Sequence, residues 1–256
     1  MSDIVKIMTM NIGNPSIQRA QKQIEWIQNR TEDIFILTET KNSAGCALFE
    51  EVFSSHRLDF PYSEIDVVFP KSITNDLGVM CLSKYPIQKT KFAFEKINQY
   101  YSRYLHNEIL LYKQILQTIG LYVPSRNQSP EKILRKRNFL EETLNSLESL
   151  PQKATIVCGD FNIVDRNHIP HYSTFKSWEY LFYDKLIELG YVDAFRKCHP
   201  NEQEYSWVGR TNSGYRYDYC FVSSDIQDKI VDCYFVHDTR SMKLTDHSAL
   251  VLELSL

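Results

Sequence analysis

The chain has 256 residues, 43% hydrophobic and 24% charged, with a formal net charge of −3 at pH 7. That length and balance suit one large soluble α/β domain over residues 1–256, with no Gly/Ser/Pro-rich linker to divide it. No run approaches the ~18 apolar residues of a membrane span, the start MSDIVKIMTMN lacks a signal-peptide pattern, and the charge excludes a global basic field.

In chain order, Ile4 to Met10 reads as a strand and Ile17 to Ile27 as a helix with apolar residues at Ile17, Ala20, Ile24 and Ile27. Ile34 to Thr38 reads as a buried strand, and residues 43–54 as a helix. Tyr62–Phe69, Gly78–Ser83, Ile109–Tyr112 and Ile115–Val123 are predicted strands. Ser129-Pro130-Glu131 supplies an N-cap, a first-turn proline and an acidic first turn, predicting a helix to about Leu150. A strand at Ala154–Cys158 and a helix at Thr174–Gly190 follow, and strands at Tyr217–Ser223, Cys233–His237 and Ser248–Leu254 complete the pattern. The six cysteines (46, 81, 158, 198, 220 and 233) show no C-x-x-C spacing and read as reduced thiols of an intracellular protein, cytoplasmic or, in a eukaryote, nuclear.

The polar residues sit at strand ends. Three strands finish in them: Asn11, Glu39, and Asp160 with Asn162. Two begin with them: Asp218, and Asp246-His247. If these groups share one site, the last two strands run opposite to the first three. That demands a mixed sheet rather than a parallel one, whose site gathers at the strands' C-terminal ends. Several carboxylates at one strand edge are costly without a cation. Glu39 suits a hard, oxygen-preferring ion such as Mg²⁺. In Gly159-Asp160-Phe161-Asn162, glycine permits a sharp exit, the carboxylate can accept a proton, and the amide can hydrogen-bond an anionic oxygen. A histidine used on phosphate needs an acceptor on its other ring nitrogen, and Asp218 is the candidate rather than the adjacent Asp246. The set indicates metal-assisted phosphoryl chemistry.

These residues resemble the endonuclease/exonuclease/phosphatase superfamily over nearly the whole chain, and within it the exonuclease III-type apurinic endonucleases. The strings that carry the resemblance are ILTETK, GVMCLSKYPI, LYVPS, IVCGDFNI, GYVDAFRKCHP, YSWVGR…GYRYDYCFVSS and RSMKLTDHSAL. GDFN and DH mark the broad group, whereas GYVDAFR, SW and RSM-x-x-x-DH point to the DNA-repair branch. The resemblance implies an α/β four-layer sandwich of two packed, mixed, largely antiparallel sheets flanked by helices. It implies that Glu39 holds the metal, Mg²⁺ or Mn²⁺, with Asn11 and Asp246 supporting that end. Asp160 would orient or deprotonate the attacking water, Asn162 would hold the scissile phosphate, His247 oriented by Asp218 would bind a phosphate oxygen, and Tyr122 would contact the phosphate or leaving oxygen. The implied activity is metal-dependent hydrolysis of DNA, as an apurinic/apyrimidinic endonuclease, a 3′-5′ exonuclease or both, by a monomer acting on duplex DNA without a membrane partner.

Two departures bear on the substrate. TMNIGNPS has Met10 where relatives usually place an aromatic and Gly13 where they place a polar residue, and the segment IVDRNHIPHYSTF is short, with Asn167 its one obvious extra amide. Trp207, Tyr215 and Arg216 are candidates to line a pocket for an extrahelical sugar or to stack on a base. Lys132, Arg135, Lys136 and Arg137 read as the solvated face of an amphipathic helix with Ile133, Leu134 and Leu140 inward. The competing function is a phosphodiesterase or phosphatase of the same superfamily acting on a nucleotide, small molecule or lipid headgroup.

Overall fold

The central strands, such as GVMCLS and TIVCGD, are near-continuous apolar runs buried on both faces, one against the other sheet and one against helices. The computed structural model describes residues 4–54, 65–72, 74–91, 100–112, 114–150 and 153–256. β1 (Ile4–Asn11) leads to α1 (Ile17–Gln28), β2 (Ile34–Thr40), α2 (Ala44–Ser54), β3 (Asp66–Val68), β4 (Gly78–Ser83) and β5 (Ile87–Lys91). β6 (Tyr104–Leu111) and β7 (Gln114–Tyr122) precede α3 (Pro130–Glu148) and β8 (Thr155–Asp160). Next come α4 (Ser177–Glu188), β9 (Tyr191–Asp193), α5 (Ala194–Cys198) and the short β10 (Trp207–Val208) and β11 (Gly214–Tyr215). β12 (Asp218–Ser223), β13 (Ile230–Val236), α6 (Asp238–Ser241) and β14 (Ala249–Ser255) follow.

Among the described residues two six-stranded sheets form, in the orders β13-β14-β1-β2-β4-β3 and β5-β6-β7-β8-β12-β9. Both are mixed. β1 pairs parallel with β2 and β7 with β8, while β14 runs antiparallel to β1 and β12 antiparallel to β8. The opposed directions expected from the polar strand ends are therefore present, divided between two sheets. The sheets pack face to face through Val5, Ile7, Ile36, Val79, Ile156, Cys158, Cys220, Val222, Leu250 and Leu252. Helices α1 and α2 cover the outer face of the first sheet through Ala20, Ile24, Ile27, Phe49 and Phe53. Phe139 and Leu140 of α3 and Phe182 and Leu186 of α4 cover the second. This is the expected four-layer α/β sandwich.

Several elements differ from their sequence reading. The strand expected at Ile109–Tyr112 begins at Tyr104, because the polar residues of its first half are buried with partners; His106 Nε2, for one, lies 3.1 Å from Gln117 Oε1. Of the strand expected at Tyr62–Phe69, only Asp66–Val68 is seen, and residues 55–64 lie outside the described residues. Strands β5, β9, β10 and β11 and helices α5 and α6 were too short or too polar to show periodicity. Helix α3 starts as expected, with Ser129 Oγ accepting from Lys132 N and Pro130 in the first turn. All six cysteines are free. No helix among the described residues is long and apolar enough to cross a membrane.

Candidate active site

Strand parity builds the site. In β8, Ile156 and Cys158 point between the sheets, so Asp160 at the strand's end does too. The same rule places Asn11 beyond Val5 and Ile7 in β1, Tyr122 beyond Leu116 in β7, and Asp218 before Cys220 and Val222 in β12. The site continues the intersheet core, with polar groups replacing apolar ones at its open end. Glu39 breaks parity. The β2–β4 register shifts between Thr38 and Thr40, and Glu39 adopts a left-handed φ of 56°, a bulge that re-aims its side chain to the same end. Gly159 has φ +140°, and a Cβ there would stand 2.0 Å from Leu121 O, so only glycine lets β8 pass β7 at this point.

Short bonds connect these groups. His247 Nδ1 lies 2.7 Å from Asp218 Oδ2, with both residues buried, and the histidine makes no bond to Asp246. Asn11 Nδ2 donates to Asp160 Oδ2 at 2.9 Å and stands 3.5 Å from His247 Nε2, so the imidazole edge faces the Asn11–Asp160 pair. The Asn162 backbone N–H donates to Asp160 Oδ1 at 3.0 Å, while its side-chain amide donates to Val123 O at 3.1 Å. Tyr122 Oη donates to Glu39 Oε1 at 3.1 Å, and Trp207 Nε1 donates to Asp246 Oδ2 at 2.9 Å.

Burial and the charge of Asp218 push the Asp160 carboxyl up to about 8, with Glu39 adding to the effect and His247 opposing it. Burial pulls the His247 imidazolium down, but the charge and hydrogen bond of Asp218 outweigh it and hold the group up at about 9. Burial and neighbouring Glu39 keep the Tyr122 phenol neutral by raising it well above its ordinary value. In the buried centre the histidine thus carries a positive charge and Asp160 keeps a high proton affinity.

These groups open onto a cavity of about 400 Å³ lined by Glu39, Asp160, Asn162, Asp246 and His247 on one side. Trp207, Tyr215, Tyr217 and Phe175 form an aromatic wall, with Tyr215 and Tyr217 stacked at a centroid distance of 5.0 Å. Among the described residues no three His, Cys, Asp or Glu side chains converge as a ready cage for a metal. Glu39 and Asp246 nevertheless line the cavity with oxygen donors. That set fits a hard divalent ion, which commonly takes one or two protein carboxylates and fills its remaining positions with water.

Two expected substrate-binding residues lie elsewhere. Arg216 is wholly buried behind the aromatic wall, where Nη2 bonds Asp165 Oδ2 at 2.6 Å and Asp193 Oδ2 at 2.7 Å. A guanidinium with no exposure and two carboxylate partners is structural, and the sequence could not show that Asp165 and Asp193 converge on it. Asn167 is exposed and outside the cavity, in a turn that its backbone N–H closes on Asp165 Oδ1 at 2.8 Å. The basic face of α3 also divides. Leu134, expected inward, is 59% exposed, whereas Lys136 is 1% exposed and lines the cavity.

Lys136 is one of several groups that sequence reasoning missed. Its Nζ donates at 2.7 Å both to Asn162 O and to buried Glu179 Oε1. Arg126 joins Glu179 from the other side. Arg103, nearly buried, lies 4.6 Å from the Tyr122 ring centroid and donates to Tyr122 O at 3.2 Å. Phe175 and Tyr217 complete the aromatic wall. An acidic residue three positions after Lys176 was the one visible signal, since Glu179 also accepts the Lys176 backbone N–H at 2.9 Å in the manner of an N-terminal helix cap.

The Endonuclease/Exonuclease/phosphatase family profile matches residues 8–247, and the chain belongs to this family. An exodeoxyribonuclease of Bacillus subtilis is 26% identical over 155 residues, covering 53% of this chain and 59% of that protein, so the matched stretch spans less than two thirds of the relative. An AP endonuclease from Archaeoglobus fulgidus superposes with a TM-score of 0.79 at 24% identity, covering 98% of this chain and all of its own. A Neisseria 3′ phosphatase bound to a product DNA hairpin superposes at 0.78 with 19% identity, covering 98% of this chain and 100% of that one. These likenesses establish the fold.

Proposed function

We propose that this protein is a divalent-metal-dependent phosphodiester hydrolase acting on duplex DNA, as an apurinic/apyrimidinic endonuclease, a 3′-5′ exonuclease or both. The observation that carries the reading is the buried His247–Asp218 pair at 2.7 Å, whose free imidazole edge faces Asn11 and Asp160 across an open cavity. Glu39 and Asp246 would hold the cation, Mg²⁺ or Mn²⁺, with Asn11 supporting that end. When bound, the ion neutralises charge on the phosphoryl oxygens and lowers the barrier to attack.

The chain's own groups do the rest. His247, held charged by Asp218, donates Nε2–H to a nonbridging phosphate oxygen and stabilises the charge that develops there. Asp160 orients the attacking water and, in its ionised form, accepts the water's proton, a step helped by the high proton affinity that burial and Asp218 give it. Its orientation is set by Asn11 and by the Asn162 backbone. Asn162 exchanges its bond to Val123 O for a phosphate oxygen, and Tyr122 presents its hydroxyl to the phosphate or leaving oxygen. Trp207 and Tyr215 contact the sugar or base flanking the break. In-line attack by water yields a 3′-hydroxyl at an incised abasic site. The relatives support the reading through their own names, an exodeoxyribonuclease and an AP endonuclease.

The test is incubation with Mg²⁺ and an abasic-site duplex, a blunt duplex, or bis-p-nitrophenyl phosphate. Incision or resection of duplex DNA that is lost in Asp160→Ala and His247→Ala is expected. Cleavage of the small ester alone would replace the nuclease with a small-molecule phosphodiesterase.

A further inference from the structure

Glu179 is one buried carboxylate holding two cations. Oε1 accepts from Lys136 Nζ at 2.7 Å and Oε2 from Arg126 Nη2; the Arg126 side chain is 6% exposed and the other two are 1% exposed. The node therefore carries one surplus positive charge out of bulk water, where an uncompensated charge is costly. The guanidinium is rigidly placed. Nη2 also donates to Thr174 O at 2.7 Å, and the group lies 5.5 Å from the Trp178 ring centroid. These anchors use Nη2 and one face. Nε is buried without a partner, and no bond among the described residues reaches Nη1.

Arg126 and Lys136 line the same cavity as Asp160, Asn162 and His247. The cavity thus has two electrostatic ends: carboxylates Glu39, Asp160 and Asp246 at one, and the surplus cation with its unused donors at the other. Lys136 bridges from Glu179 to the backbone of Asn162, so Arg126 is tied through Glu179 and Lys136 to the loop that carries the group assigned to the scissile phosphate. Exposed Arg137 shares the Trp178 ring at 5.7 Å and extends the positive track outward along α3.

We propose that Arg126 is a specificity-determining residue that binds the phosphate adjacent to the scissile one on the same strand. Resting on the reading of the site as a DNA phosphodiesterase, this makes a second phosphate one nucleotide away part of what the enzyme recognises. With both Nη2 hydrogens spent on Glu179 and Thr174, Nη1 remains to donate to a single phosphate oxygen, and charge-assisted bonds are the strong ones.

The test compares a DNA trinucleotide with the same trinucleotide carrying an uncharged methylphosphonate at the linkage next to the cleaved one. The wild type should prefer the charged substrate in kcat/KM by roughly 10- to 100-fold, the range of one hydrogen-bonded charge contact. Arg126→Gln should bring that ratio to within about twofold of unity, as expected when the two changes remove one shared contact. Arg126→Lys should retain part of it. A purely structural Arg126 would lower both rates and leave the ratio intact, which would overturn the proposal. So would a wild-type ratio near one. A second arm measures oligonucleotide binding by fluorescence anisotropy in EDTA, without turnover. There Arg126→Gln should reduce the slope of log affinity against log salt by about 0.7, one single-strand phosphate contact, and an unchanged slope refutes the contact. If the wild type cleaves no DNA, the functional reading fails, while this arm still decides whether Arg126 binds phosphate.

Discussion

Replacing Lys136 by Met tests how the phosphate-facing loop is held. The ammonium makes two 2.7 Å bonds, to Glu179 Oε1 and to Asn162 O, and is 1% exposed. Burial lowers the Lys136 pKa, against the pull of Glu179 that favours the charged form. Methionine keeps most of the stem's volume, so the loss is electrostatic rather than a cavity. Removing one partner of a buried pair typically costs about 3–5 kcal/mol, and here the lower end applies because Arg126 and the Lys176 N–H still hold Glu179. Leaving the Asn162 carbonyl without its donor adds about 1 kcal/mol, for a total of about 4 kcal/mol. Asn162 occupies a left-handed φ of 49°, a region asparagine visits more readily than most residues, and the Lys136 bond to its carbonyl helps to hold it there. A displacement near 1 Å at this loop should lower kcat by ~100-fold. Urea unfolding at pH 7 gives the first number and steady-state incision of an abasic duplex the second. Because either single variant already loses the shared Lys136–Glu179 bond, Lys136→Met/Glu179→Gln should be less destabilised than the sum of the singles by ~1–3 kcal/mol. Strict additivity, or a single variant that loses under ~1 kcal/mol and keeps its rate, would refute the coupling.

Two further predictions concern pH. In Asp218→Asn the largest effect opposing burial at His247 is lost, with Asp160 and Asp246 remaining, so the alkaline limb of kcat/KM, expected near pH 9 in the wild type, should move down toward the ordinary imidazole value of ~6.5, with a loss of up to ~30-fold at pH 8. Because the folded value is raised, this histidine's contribution to stability is present below the unfolded pKa and lost as pH rises through about 9; an alkaline limb that stays in place would sink the assignment. At Asp165 burial raises the carboxyl, but Arg216 more than offsets it and holds it below its ordinary value. Its stabilisation is therefore present above the unfolded pKa and lost as pH falls through the folded one. Arg216→Met should cost roughly 3–5 kcal/mol at pH 7, and the deficit relative to wild type should shrink toward pH 4 as the stranded carboxylates protonate. Urea midpoints at the two pH values measure it, and a pH-independent deficit would count against the account.

The sequence by itself determined where the chemistry could lie. Strand ends are legible because apolar runs must be buried and polar groups mark where burial stops. Asn11, Glu39, Asp160, Asp218 and His247 stood out for that reason, and the opposed strand directions followed from requiring them to meet. Tertiary structure alone decided which side chains face the cavity and which are consumed elsewhere. Arg216 and Lys136 look alike as basic residues beside polar neighbours, yet one lies behind the aromatic wall between two aspartates and the other holds the backbone of Asn162. Glu39 reaches the site through a left-handed bulge that no alternation pattern records. Periodicity is a property of neighbouring residues, whereas pairing a buried charge depends on partners such as Glu179 and Asp193, distant in sequence and adjacent only once both sheets and their helices have packed.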